Sequence, residues 1–242
     1  MLTKERQLEI TDNYNSVMER IEAARAKRGG TASVRLLCAT KTVPAEEIVF
    51  AADTLGATLA GENRTSEILE KYDAVKDHVE LRMIGTLQTR KVRDVIGRVT
   101  MIESVDSLKL AREIDRRSAD AGIVTDILCE VNIGREEAKG GVMPEAVSEF
   151  VEVLAEFNSI RVRGLMTMAP ICDSESEKRK FFAETYKIFI DICSKKSHNI
   201  IEPVLSMGMS DSFEVALEYG ANMIRPGSAI FGMRNYGVQN GV

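Results

Sequence analysis

At 242 residues, 44% of them hydrophobic and 29% charged, the chain is long enough for a sizeable core and fits one large α/β domain or two small ones. A net charge of −5 argues against a general nucleic-acid binder, which carries a basic face, and leaves room for a local phosphate pocket. The opening Met1-Leu2-Thr3-Lys4-Glu5-Arg6 has no apolar segment behind it, and no apolar run approaches bilayer length, so a cytoplasmic protein with no membrane partner is expected.

Ile10, Tyr14, Val17, Ile21 and Ala24 recur at helical spacing, and Gly29-Gly30 ends that helix. Val34 to Lys41 reads as a buried strand, broken by Thr42 and Pro44. Pro44 to Leu55 is a helix, with proline in its first turn and Gly56 behind it. The alternation then repeats. Strands are expected at 57–60, 81–84, 99–102, 125–131, 161–166, 203–205 and 223–225. Helices follow at 65–76, 89–97, 107–119 and 144–157, then a long one ending near Ser194, and one at 212–219. Eight apolar strands, each followed by a helical stretch, imply a parallel sheet covered by helices. Connections are short and no linker appears, so residues 1–242 are expected to form a single (β/α)8 barrel with one extra helix in front. No G-x-G-x-x-G follows the first strand, and the dinucleotide-binding alternative lacks its main signal.

Cys38, Cys129, Cys172 and Cys193 are scattered, with no C-x-x-C pair, which supports neither a zinc site nor a disulfide framework. His78 and His198 lie among polar residues between elements and read as surface groups. No metal ligand set and no imidazole catalyst is expected.

In a barrel of this kind the site lies at the C-terminal strand ends. Those ends carry Lys41, Asn63, Gly85, Asn132, Met166 with Thr167, Ser206 to Ser210, and Arg225 to Ser228. Lys41 either snorkels into water past its strand or is a desolvated, nucleophilic amine. Asn63 and Asn132 are turn formers or site residues. The loops after the seventh and eighth strands are where barrels build phosphate sites. Ser210 and Ser228 offer hydroxyls there, and Gly227 lets backbone approach an anion. A lysine and a phosphate cradle at one mouth suggest a Schiff base, with pyridoxal 5′-phosphate or with a phosphorylated sugar.

The segments Ala39-Thr40-Lys41-Thr42, Gly61-Glu62-Asn63, Ile84-Gly85-Thr86-Leu87-Gln88, Gly164-Leu165-Met166-Thr167-Met168, Leu205-Ser206-Met207-Gly208-Met209-Ser210-Asp211 and Ile224-Arg225-Pro226-Gly227-Ser228-Ala229-Ile230-Phe231-Gly232 carry a family resemblance. From Val34 to Arg234 the chain resembles the YggS/PROSC family, the pyridoxal phosphate homeostasis proteins. It departs at Arg64, where an aromatic is common, and at Pro226 and Ser228, which replace a frequent Ile and Thr. The resemblance implies the barrel of alanine racemase, the type III fold of pyridoxal phosphate proteins, without a C-terminal β domain. It implies that Lys41 holds the cofactor as a Schiff base and that Ser210, Gly227 and Ser228 bind its phosphate. It places Arg225 at the pyridine nitrogen, and Asn63 and Met207 near the ring.

Three functions follow. The chain holds and delivers pyridoxal phosphate, influencing its intracellular level, with little or no catalysis of its own and PLP-dependent apoenzymes as partners. Alternatively it is an amino-acid racemase, which needs a second base. Tyr14, Tyr72, Tyr186, Tyr219 and Tyr236 are the tyrosines, and none sits at a predicted strand end. A class I aldolase would want an acid or a second lysine at a strand end, and none is found. A monomer is expected.

Overall fold

The structure, a computed structural model of the chain, describes residues 2–30, 33–170, 174–195 and 200–233. Cys172, His198, Tyr236 and the first residue of the charged 173–180 segment lie outside them.

Helix α1 (Lys4–Lys27) starts where the Thr3 side chain accepts from Arg6 N–H, and its buried stripe is the expected Ile10, Tyr14, Val17, Ile21 and Ala24. The first strand is divided into β1 (Arg35–Leu36) and β2 (Cys38–Ala39). Then come β3 (Leu59–Glu62), β4 (Glu80–Met83), β5 (Met101–Val105), β6 (Thr125–Val131), β7 (Ile160–Thr167), β8 (Val204–Ser206) and β9 (Met223–Ile224). Between them lie α2 (Ala45–Leu55), α3 (Thr65–Val75), α4 (Val92–Val95), α5 (Leu108–Asp120), α6 (Val147–Leu154), α7 (Glu175–Ser194) and α8 (Phe213–Glu218), with α9 (Ser228–Phe231) last. The stretches expected as helices at 89–97 and 144–157 each open with a 3-10 turn, so α4 and α6 are shorter than expected.

All neighbours are parallel, in the order β1-β9-β8-β7-β6-β5-β4-β3-β2. β1 pairs with β9 and β2 with β3, so one stretch of chain closes the ring by changing partners at Leu37. Leu37 N–H still donates to Ile224 O, while Thr40 N–H donates to Gly61 O across the other seam. That change of partner is why an eight-strand expectation and nine short segments describe the same barrel. Helix α1 packs against α2, α8 and α9, on the outside of this closure.

Two apolar layers follow from the period-two alternation of strand side chains. Leu37, Leu59, Ile84, Met101, Leu128, Met166, Val204 and Met223 form one buried cluster, contributed almost entirely by the strands. A larger layer joins the strands to the helices. Charged residues share the strands with both: Glu62, Arg82, Glu103 and Glu130 are all buried. Among the described residues, no helix is long and apolar enough to cross a membrane.

Candidate functional site

At the C-terminal strand ends lies a cavity of about 240 Å³. Ala39, Lys41, Asn63, Ile84, Met168, Met209, Ser210, Asp211, Arg225, Gly227 and Ser228 line it. Six of the seven residues expected from sequence therefore face one space: Lys41, Asn63, Ser210, Arg225, Gly227 and Ser228. The seventh, Met207, does not. Strand alternation sends Ser206 inward and Met207 outward, into the layer under the helices, where it is fully buried. Met168 and Met209 reach the cavity instead.

A second cavity, of about 540 Å³, shares Ala39, Lys41, Gly227 and Ser228 with the first and extends outward to Arg6, Glu47 and Phe231. Half-buried Lys41 thus stands on the wall between the two.

The loops after β8 and β9 are joined at Ser210, whose Oγ accepts from Gly227 N–H at 3.1 Å and Ala229 N–H at 3.2 Å. A Cβ at position 227 would stand 2.7 Å from Ala39 O, so only glycine lets this turn lie against the strand that leads to Lys41. The Ser228 hydroxyl is exposed in the first turn of α9. The Ser210 and Ser228 hydroxyls therefore gather at one corner of the cavity, with the Gly227 and Ala229 N–H groups that Ser210 Oγ now occupies, donors suited to an oxyanion that takes over that oxygen's place. Pro226, which departs from the family pattern, keeps its carbonyl in use as the acceptor for Ala39 N–H.

Arg225 is fixed from behind. Its guanidinium donates to Ser206 Oγ at 2.6 Å and to Thr167 O at 2.9 Å. Ser206 Oγ donates to Glu103 Oε2 at 2.6 Å, and Arg82 donates to Glu103 Oε1 at 3.2 Å. Burial lowers the Arg225 pKa, with Glu103 and Glu130 acting against it. Burial pushes the Glu130 carboxyl up to about 7, helped by Asp106 and opposed by Arg225. An arginine keeps its proton in such a setting, so the cavity has a fixed cation on its floor.

Asn132, one of two asparagines left open by sequence, is a loop former. Its side chain donates to Glu136 O and Lys139 O and accepts from Glu136 N–H. Exposed Arg64 precedes α3 and does not line the cavity. His78 lies near the surface, 2.8 Å from Asp53. Among the described residues, no group of three or more His, Cys, Asp or Glu could hold a metal ion, and no tyrosine lines the cavity.

Residues 12–235 match the family described as "Alanine racemase, N-terminal domain". The pyridoxal phosphate homeostasis protein of Aquifex aeolicus is 41% identical over 93% of this chain and 98% of its own length. The chain belongs to the pyridoxal phosphate homeostasis protein family. Among solved structures, PipY of Synechococcus elongatus with PLP bound is similar to this family member with a TM-score of 0.74 and 27% identity, over 88% of this chain and all of PipY. Alanine racemase of Clostridium difficile shares the fold with a TM-score of 0.74 at 15% identity, over 96% of this chain but 60% of the racemase. The expected barrel and the family resemblance are both borne out.

Within this member of the family, sequence reading missed the charges behind the cavity: Glu62 and Lys71 on one side, Arg82 and Glu103 on the other. A signal was present. Leu81-Arg82-Met83 and Ile102-Glu103-Ser104 place a charge within an apolar strand, and a strand buried on both faces tolerates that only where a partner waits.

Proposed function

We propose that this chain binds pyridoxal 5′-phosphate and helps to maintain its intracellular level, with Lys41 as the covalent anchor and residues 1–242 acting as one cofactor-binding unit. The observation that carries this is the convergence of a lysine amine, a hydroxyl and N–H corner, and a buried cation on one small cavity. Those groups fit the cofactor's aldehyde, phosphate and pyridine ring in turn. When bound, the cofactor supplies an amine-reactive aldehyde and an electron-accepting ring. Lys41 donates the amine, Ser210, Gly227 and Ser228 orient the phosphate, and Asn63 flanks the ring. Arg225, held by Ser206 and Thr167, faces the ring nitrogen as a fixed cation. A cation there disfavours a proton on that nitrogen and weakens the ring as an electron sink. Binding and release, with transfer to PLP-dependent apoenzymes, suit such a site better than turnover. The PLP-bound relative and the shared family name support the same conclusion.

The reading includes a cytoplasmic monomer, and a reducing compartment agrees with free Cys38, Cys129 and Cys193, two of which are buried. Burial pushes the Cys38 thiol up to about 12 and the Cys193 thiol up to about 11, so both stay unreactive.

The purified protein is expected to be yellow, and borohydride is expected to fix the chromophore to the peptide containing Lys41. Lys41→Ala should lose the covalent adduct entirely. Equal PLP binding by that variant, with no adduct in the parent, would sink the assignment. Rapid deuterium exchange at Cα of alanine would point to a racemase instead.

A further inference from the structure

The chain on both sides of Lys41 is held by a buried ionic cluster outside the cavity. Lys71, on α3, is 6% exposed, and Glu62, at the end of β3, is not exposed at all. Lys71 Nζ donates to Thr40 O at 3.0 Å, to Glu62 Oε1 at 2.9 Å and to Glu67 Oε2 at 3.2 Å. Glu67 Oε2 also accepts from Thr42 N–H at 2.8 Å. The residues before and after Lys41 thus each give one backbone group to the same pair of side chains. Thr42 needs such a hold. Its φ of +65° is rare for a β-branched residue and persists only where its surroundings fix it.

The cluster balances its own charge. Glu62 Oε2 is buried with no partner, Glu62 is pushed upward by burial, and Glu67 is held below its usual range by Glu62, Thr42 N–H and Lys71 although burial works the other way. A proton on Glu62, given to Glu67, satisfies the orphan oxygen. One ammonium and one carboxylate then remain in a dry space, where an unpaired third charge would be costly.

We propose that Lys71 and Glu67 are positioning residues, which clamp the peptides on either side of Lys41 and hold its amine at the wall between the two cavities. This rests on the proposed function, in which Lys41 carries the cofactor. Neither residue lines either cavity, so their effect must pass through the backbone. A clamp of this kind matters for covalent capture, because a small displacement of a reacting amine carries a large loss. It has no direct part in holding the phosphate.

The test separates those two kinds of binding. Full-length Lys71→Met and Glu67→Ala are titrated with pyridoxal 5′-phosphate and with pyridoxine 5′-phosphate, which has the phosphate and ring but no aldehyde for Lys41. Glu67→Ala is the milder change, a half-buried residue replaced by a good helix former in the first turn of α3. Expected is a tenfold or greater loss for the aldehyde with Lys71→Met, about threefold with Glu67→Ala, and less than twofold for the alcohol with either. Equal losses for both ligands mean general damage and overturn the proposal, as does no loss for either. In the cofactor-free proteins, acylation of Lys41 followed by mass spectrometry should be several-fold faster in Lys71→Met than in the parent, with Lys76 unchanged as internal control. An unchanged Lys41 rate overturns the clamp. Lys41→Ala is the arm for the function itself. If it binds the aldehyde as well as the parent does, the anchor assignment fails, and the acylation rates still judge the clamp.

Discussion

Two buried charge clusters flank the cavity, and they act on their targets in different ways. The cluster of Lys71, Glu62 and Glu67 lies between the strands and α3 and grips backbone: Thr40 O and Thr42 N–H. The cluster of Arg82, Glu103, Ser206 and Arg225 runs across three strands to the residue after β9 and grips a side chain, the Arg225 guanidinium. The first leaves the Lys41 side chain free to react while fixing where it starts. The second leaves little free, which suits the proposed role of Arg225 as a fixed charge. The proposed nucleophile and the proposed electrostatic group thus rest on different supports, one on backbone and one on a side chain.

The comparison is broken most severely at Glu103, which is wholly buried and joins Arg82 to Ser206 and through it to Arg225. Glu103→Ala leaves the buried Arg82 guanidinium, whose Nε already lacks a partner, with only the longer 3.7 Å ion pair to half-exposed Glu80. Loss of one member of a buried pair is expected to cost about 3–5 kcal/mol. Urea unfolding midpoints measure it. Arg82→Met in the same background should recover much of the loss, since it removes the poorly paired cation. A Glu103→Ala protein as stable as the parent would mean that the chain from Arg82 to Arg225 holds nothing.

Much of this barrel was legible in sequence because its eight strand and helix units each carry a clear period. The strand ends were harder. The strand expected at 57–60 was to end in Gly61-Glu62-Asn63, and β3 runs on through Glu62. Gly61 is there because a Cβ would meet Leu37 and Ile84 at 2.5 and 2.9 Å, a crowding that only the closed barrel creates. Likewise β5 was expected to stop at Ile102 and continues to Val105, because Glu103 and Ser104 find partners inside. The residues that face the cavity could be read from strand-end position. Those behind it could not, because a buried charge is identified by its partner, and for Glu103 the partners lie 21 positions away in Arg82 and 103 away in Ser206. Met207 was misplaced for a simpler reason: the parity of β8 sends its neighbour inward.

The Lys71 cluster is probed next through its shared proton. Burial, with Glu67 beside it, raises the Glu62 carboxyl from its ordinary 4.5 to about 7. Below pH 4.5 folded and unfolded chains both keep this proton. Between 4.5 and 7 the unfolded chain releases it and the folded chain does not, so stability falls as pH rises, and above 7 the loss is complete. The full loss is about 3 kcal/mol. Glu62→Gln cannot titrate, so its stability relative to the parent should rise by that amount from pH 4.5 to 7.5. Parallel curves for the two proteins would rule out the shared proton.

Thr40→Val is the mildest way to sharpen the contrast. Thr40 is fully buried, its Oγ1 donates to Glu62 Oε1 at 2.8 Å, and valine is nearly its shape. Lys71 still serves that oxygen, so the loss near pH 7 should be about 1 kcal/mol, that of one net hydrogen bond. The pH dependence is the more telling measurement. The Thr40 hydrogen bond favours the charged form of Glu62, so removing it raises the carboxyl further and moves the upper end of the falling window above pH 7. The Arg225 cluster shares no partner with Thr40, and the cost of Glu103→Ala should therefore add to that of Thr40→Val within about 0.5 kcal/mol. A coupling well above that would mean the two clusters are one network, and that Lys41, the proposed anchor, and Arg225 are positioned together.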